Sequence, residues 1–206
     1  MSQASSSPYR EFKEKLCTFA EGQHGIRNPF VIAAVDPAVE HHVADRLETW
    51  SAGRIEPPEI PDGITVQPIW LDELLPKTAV YKLLVDLGEP LRNLDGEVSP
   101  GERIKETMQD QLAEELVLQM IEHELTEDQL ETQSHIILLL NLGSLHPFTR
   151  ASELFDELDR RNIRSTIGIV FPGTHDNQKL GLYSTNPQHY YPAHQIDGVI
   201  QEVHLQ

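Results

Sequence analysis

The chain has a single cysteine, Cys17, in 206 residues. One thiol cannot build an internal disulfide framework, so the fold rests on its core, as in proteins of a reducing cytosol. Nor does any apolar run approach the ~20 residues that cross a bilayer; runs such as Phe30 to Val35 and Ile136 to Leu140 are strand-sized. The first residues, Met1 to Ser7, carry no apolar stretch of the secretory kind, and the expected compartment is the cytoplasm. Positive charge is scarce: 16 Lys and Arg stand against 33 Asp and Glu, for a formal net charge of −17. Nucleic-acid binding needs cations that displace condensed counterions, so direct contact with DNA or RNA is not expected. The one dense basic group, Arg160, Arg161 and Arg164 with Lys179 further on, reads first as a solvated helix end, where cations suit the dipole.

Phosphate-binding loops are missing too. Neither a GxxxxGKS/T run nor GxGxxG occurs. The segment after the first apolar strand is Asp36-Pro37-Ala38-Val39-Glu40, and a carboxylate there competes with a phosphate for the same backbone donors. Asp36 reads as a helix cap with Pro37 behind it. Metal signatures of the HExxH or paired CxxC kind are also lacking, although there are ten histidines. His41 and His42 are adjacent and diverge on a helix, and His189 and His194 fall in a Tyr/Pro-rich loop. Gly143-Ser144-Leu145-His146 offers a Ser and a His at a strand end, but without the Gly-x-Ser-x-Gly pattern of a nucleophile elbow. No cofactor and no metal are expected.

What is present is a regular alternation of strands and helices. A Ser-rich start, residues 1–7, reads as a disordered tail. Pro8 opens a helix with Tyr9, Phe12, Leu16 and Phe19 on one face, closed by Gly22 and Gly25. Phe30 to Val35 is a continuous apolar run, the pattern of a strand buried on both faces. A helix with Val39, Val43, Leu47 and Trp50 follows, then a Pro-rich connector, Glu56 to Gly63, and a strand from Ile64 to Ile69. Residues 70–87 read as helix broken near Pro76, Gly88 to Gly101 as loop, and Pro100 to Leu125 as a long acidic helix. Thr126 caps a short turn. His135 to Leu140, Arg164 to Phe171 and Leu180 to Tyr183 are further strands, with a helix from Arg150 to Arg161. Ile196 to Val203 reads as an edge strand or a helix. The expectation is one α/β domain over residues 8–206, with a helical insert at about 70–130. Its core is a three-layer, mostly parallel sheet of about five strands with helices on both faces, Rossmann-like or degenerate P-loop-like. Such sheets place their ligand-facing loops at the carboxyl ends of the strands, here beginning at Asp36, Asn141 and Pro172. Pro172-Gly173-Thr174-His175-Asp176-Asn177 reads equally as a strand-to-strand turn, with Gly173 supplying positive φ, or as a recognition loop.

Two runs carry a resemblance. Leu142-Gly143-Ser144-Leu145-His146-Pro147-Phe148-Thr149-Arg150-Ala151-Ser152-Glu153-Leu154-Phe155 and Ile167-Gly168-Ile169-Val170-Phe171-Pro172-Gly173-Thr174 resemble the BrxB family of bacteriophage exclusion (BREX) systems. The opening, Phe30 to Val35 followed by Asp36-Pro37-Ala38 and Glu40, is similar as well. The middle of the chain and the segment from Pro187 to Gln206 match less closely, and Asp176-Asn177-Gln178-Lys179 departs from the family pattern. The resemblance implies a non-catalytic adaptor of a phage-defence complex, bound to larger subunits such as the phosphatase-like PglZ protein, with no membrane association. The docking residues expected on this reading are Gly143, Ser144, His146, Phe148 and Arg150 in one loop, and Pro172, Gly173, His175 and Asp176 in the other. An acidic surface of this size would suit a basic partner. A metal- or Ser/His-dependent hydrolase using Ser144, His146, His175 and Asp176, and a degenerate nucleotide-binding subunit, are the alternatives.

Overall fold

The structure, a computed structural model, describes residues 7–22, 29–54, 56–87, 111–146, 148–149, 151–161, 163–176, 179–182, 189–190 and 193–205. Most of the Ser-rich start, Gly25, the Gly88 to Gly101 loop and the first part of the acidic helix lie outside these residues. The chain divides into two compact units. One comprises Met1–Ile69, Glu127–Gly143 and Arg164–Gln206; the other comprises Trp70–Thr126 and Ser144–Ile163.

The first unit carries the sheet. Its elements are α1 (Pro8–Ala20), β1 (Phe30–Val35), α2 (Glu40–Ser51), β2 (Thr65–Trp70, its last residue counted with the second unit), α6 (Glu127–Glu131), β3 (His135–Leu140), β4 (Thr166–Asp176), β5 (Lys179–Leu182), β6 (His189–Tyr190) and β7 (His194–Ile200). The strand order is β2-β3-β4-β1-β7, and these five run parallel in a three-layer α/β arrangement. Every residue of β1 and of β3 is buried, which is why both read as unbroken apolar runs. Pro68 sits in the edge strand β2, where a missing N–H costs least.

Helix α1 packs across β1, β3, β4 and β7. Ser7 caps it by accepting the Arg10 N–H at 3.3 Å, and Phe12 and Leu16 are wholly buried. Gly168 of β4 makes this approach close: a Cβ there would stand 2.9 Å from both Leu16 Cδ2 and Leu138 Cδ2. At the other edge the pairing of β7 with β1 shifts register between Ile32 and Ala34. Gly198, with φ +87°, takes up that bulge.

Two expectations are corrected. Pro172-Gly173 does not end a strand: β4 runs through both residues to Asp176, with Pro172 opposite Val35 and Gly173 opposite Leu182. The reason is tertiary. Beyond Pro172 the strand has outrun its parallel neighbour and gains an antiparallel one, β5, so the backbone stays extended. Likewise His189 and His194 belong to strands β6 and β7, the first paired with Leu180 and the second with Val31. Sheet pairing overrides the Tyr/Pro-rich composition that reads as loop.

The second unit is helical. It contains α3 (Leu71–Leu74), a 3-10 turn at Leu75–Lys77, α4 (Ala79–Leu87), a helix α5 whose described part covers 111–119, a π-turn at Met120–Glu124 and α7 (Ala151–Arg160). Leu112, Leu116, Met120, Leu154 and Leu158 are all 0% exposed and form its core. Glu115 accepts the Val80 N–H at 3.0 Å, satisfying one of the orphan donors at the start of α4. Glu157, nearly buried, is paired with both Arg160 and Arg161, and Arg161 also reaches Glu114. Two of the four candidate basic-patch residues are therefore neutralised by carboxylates.

Candidate interaction face at the carboxyl ends of the strands

Parallel strands deliver their carboxyl ends to one side of the sheet. β1 leaves at Val35 into Asp36, whose Oδ1 accepts the Ala38 N–H at 3.0 Å, so the Asp-Pro pair works as the cap read from its order. α2 then begins with Glu40, which is 7% exposed. β3 leaves at Leu140 into Asn141, which adopts a left-handed φ of 59°, a conformation Asn tolerates better than most residues. A 3-10 turn, Leu142–Leu145, follows. The two exits are joined by one buried bond: the Gly143 N–H donates to Glu40 Oε1 at 2.8 Å. Locally Glu40 is only one more acid in the first turn of a helix, a place that suits the dipole. Its anchoring of the β3 exit depends on a contact between residues 103 apart, and order alone carries no signal for that.

Gly143 is thus buried and closes the first unit. Ser144 is half-buried and His146 exposed. Leu142 and Leu145 point inward, and the Leu145 carbonyl accepts the N–H groups of Phe148 and Thr149 at 2.7 and 3.0 Å. Phe148 stands edge-on to Tyr81 of α4, with ring centroids 5.5 Å apart. Ser144, His146 and Phe148 belong to the second unit, whereas Gly143, Pro172, Gly173, His175 and Asp176 belong to the first. Pro172 and Gly173 are buried strand residues. His175 and Asp176 occupy the hairpin of β4 and β5, opposite Leu180 and Lys179. Arg150, Pro147, Asn177 and Gln178 lie outside the described residues. Among the described residues no group of three or more His, Cys, Asp or Glu could hold a metal ion. No described helix is long and apolar enough to cross a membrane.

A second polar cluster in the first unit went unread in the sequence. Glu56, in the Pro-rich connector, is bound by the Arg46 guanidinium through Nε, at 3.2 Å, and Nη2. It also accepts from Tyr9 Oη at 3.3 Å and lies 3.6 Å from Lys13 Nζ. Lys13 is 1% exposed, with its ammonium 4.3 Å from the Tyr9 ring centroid and 5.8 Å from that of Trp50. Burial pushes its pKa down to about 8, against the pull of Glu56. Burial, with Glu56 beside it, pushes the Tyr9 phenol up. Arg46 also donates to the Leu205 carbonyl, and Trp50 Nε1 to that of Pro58 at 2.7 Å. The cluster therefore fastens α1, α2, the connector and the 3-10 turn at Glu202–Leu205 to one another. Beside it, Trp50, Gly53, Arg54, Glu56, Glu59 and Ile60 line an open cavity of about 280 Å³.

A three-layer α/β protein whose strand ends are closed by carboxylate caps belongs to a class in which the fold alone does not specify function. The family assigns it. The family model for the BREX protein BrxB matches residues 80–196, more than half of the chain, and the chain belongs to that family. It is a component of a BREX phage-defence system. No curated protein and no solved structure matches it. The matched stretch contains both loops that carry the resemblance and extends into the C-terminal segment as far as residue 196. The similar opening at Phe30 to Glu40 lies outside it.

Proposed function

We propose that this protein is a non-catalytic adaptor of its BREX complex, binding larger subunits and in particular the phosphatase-like PglZ protein. The observation that carries the reading is the Glu40–Gly143 bond. At the end of a parallel sheet, where an α/β enzyme presents a phosphate loop or a nucleophile, this chain places a buried structural carboxylate. It holds the loop that follows Leu140 in a fixed 3-10 turn. The docking residues put forward are, in the second unit, the segment from Ser144 to Arg150, with His146 exposed, and, in the first unit taken by itself, Gly143 and the β4 segment from Pro172 to Asp176. The net charge of −17 favours a basic partner surface and fast encounter with it.

Affinity purification of the tagged chain expressed from its native operon tests the proposal. PglZ is expected in the eluate at a fixed ratio. His146→Glu should reduce its recovery without changing the melting temperature. A chain that recovers no other defence subunit at low salt would exclude an adaptor role. Recovery of a subunit other than PglZ would exclude the particular partner.

A further inference from the structure

His135 opens β3, and its side chain is 2% exposed. Its Nδ1 lies 3.3 Å from Ser165 Oγ, and the Ser165 hydroxyl donates to the Gln129 carbonyl. A serine hydroxyl has one proton to give. With that proton directed at Gln129, Ser165 Oγ faces the imidazole as an acceptor, so the ring carries its hydrogen on Nδ1. Nε2 is then a bare lone pair, and it is a buried atom with no hydrogen-bond partner among the described residues.

The position of this cluster in the chain gives it a consequence. The chain leaves the sheet unit twice and returns to it twice, at Glu127 and at Arg164. Gln129 stands two residues beyond the first return, and Ser165 one residue beyond the second. The Arg164 N–H donates to the Leu130 carbonyl at 2.8 Å, and Thr166 Oγ1 to that of Gln133 at 3.3 Å. The two returning segments are therefore bonded to each other, and His135 fills a buried position at their junction. Among the described residues, the charged groups on the flanking segments are Glu127, Asp128 and Glu131 of α6, Arg164 before β4 and Glu21 after α1, all exposed; α1, which packs on β3, adds Arg10, Glu11, Lys13, Glu14 and Lys15, and β2 adds none. Burial is the single cause that holds the His135 pKa below the ordinary histidine value.

We propose that His135, Ser165 and Gln129 form an acid-operated clamp on the two segments through which the chain returns to its sheet. The neutral imidazole keeps them joined. Protonation releases them, because it buries a charge that no carboxylate among the described residues offsets and creates an Nε2–H with no acceptor among them.

Hydrogen exchange of the whole protein tests this at the His135 and Arg164 amides, which donate to the Thr132 and Leu130 carbonyls. Corrected for the pH dependence of a free amide, their protection should fall about tenfold between roughly pH 7.5 and pH 5.5, the linkage expected of a histidine that titrates only when released. The Gly143 amide should keep its protection. In His135→Gln the drop at the two clamp amides should vanish. Equal protection at both pH values in the wild type, or an undiminished drop in the variant, would overturn the clamp. Should the variant not fold, nitrogen-15 spectra of the wild-type ring decide. They should show hydrogen on Nδ1 at neutral pH and a midpoint below ~6.5, the ordinary histidine value. Hydrogen on Nε2, or a midpoint at or above that value, would overturn it equally.

Discussion

Single residues account for the two features of the sheet unit that order alone does not show. Glu40 is the clearer one, a nearly buried carboxylate whose oxygen receives the Gly143 N–H at 2.8 Å. Glu40→Ala leaves that amide buried without an acceptor and should cost about 1–3 kcal/mol in urea denaturation. Glu40→Gln keeps a carbonyl oxygen in place and should lose clearly less. If the two variants were equally stable, the bond would not be what holds the β3 exit. Lys13 makes the opposite kind of contribution. Its pKa is pushed from the model-peptide value of 10.5 down to about 8, so between those values the unfolded chain binds the proton and the folded chain does not. Stability should therefore rise with pH across that window. The raised Tyr9 phenol opposes the trend only above its ordinary value of 10.0. Thermal melts of wild type and Lys13→Met from about pH 7.5 to about pH 9.5 check this: the wild type should gain on the variant as pH rises. Lys13 falls on the Tyr9–Phe12–Leu16 side of its helix as a charge among apolar residues, and its partner Glu56 is 43 positions away, so nothing local signals the pair.

At the scale of elements, most of what formed was legible, because periodicity and capping act within a few residues. Ser7, Pro8 and the Tyr9–Phe12–Leu16–Phe19 stripe produce α1, and the apolar runs at Phe30 and His135 produce buried strands. The β4 segment shows where local reading stops. Pro-Gly carries the chemistry of a turn, yet Pro172 and Gly173 are paired strand residues because β1 and β5 lie beside them. The packing of α1 on the sheet likewise depends on Gly168, where a Cβ would meet Leu16 and Leu138 at 2.9 Å. Gly168→Ala should destabilise by about 1–3 kcal/mol through overpacking. Joined with Leu16→Ala, which removes one of the two clashing side chains, it should cost clearly less than the sum of the single changes. Additive losses in urea denaturation would mean that α1 shifts aside instead.

For the whole molecule, charge is the property that matters most. A net charge of −17 acts at the range of a Debye length, about 8–10 Å at physiological salt. Association with the basic partner surface proposed above should therefore slow with ionic strength. Stopped-flow or surface-binding kinetics should show the association rate falling by about tenfold or more from ~50 mM to ~500 mM salt, while the dissociation rate changes little. A salt-independent association rate would indicate that the docking contact lies away from the acidic surface.

By itself the sequence determined the alternation of strands and helices, the mostly parallel sheet, the capped exit after Val35, and a family resemblance that the match over residues 80–196 bears out. Each of these is written in spacings of a few residues or in short contiguous motifs. Only the tertiary structure decided that Glu40 anchors Gly143, that Glu56 gathers Tyr9, Lys13 and Arg46, and that His135 sits where two returning segments meet. The physical reason is shared. Each is a buried or half-buried polar group satisfied or stranded by partners between 10 and 103 positions away, and what burial does to such a group depends on which distant atoms the fold brings to it.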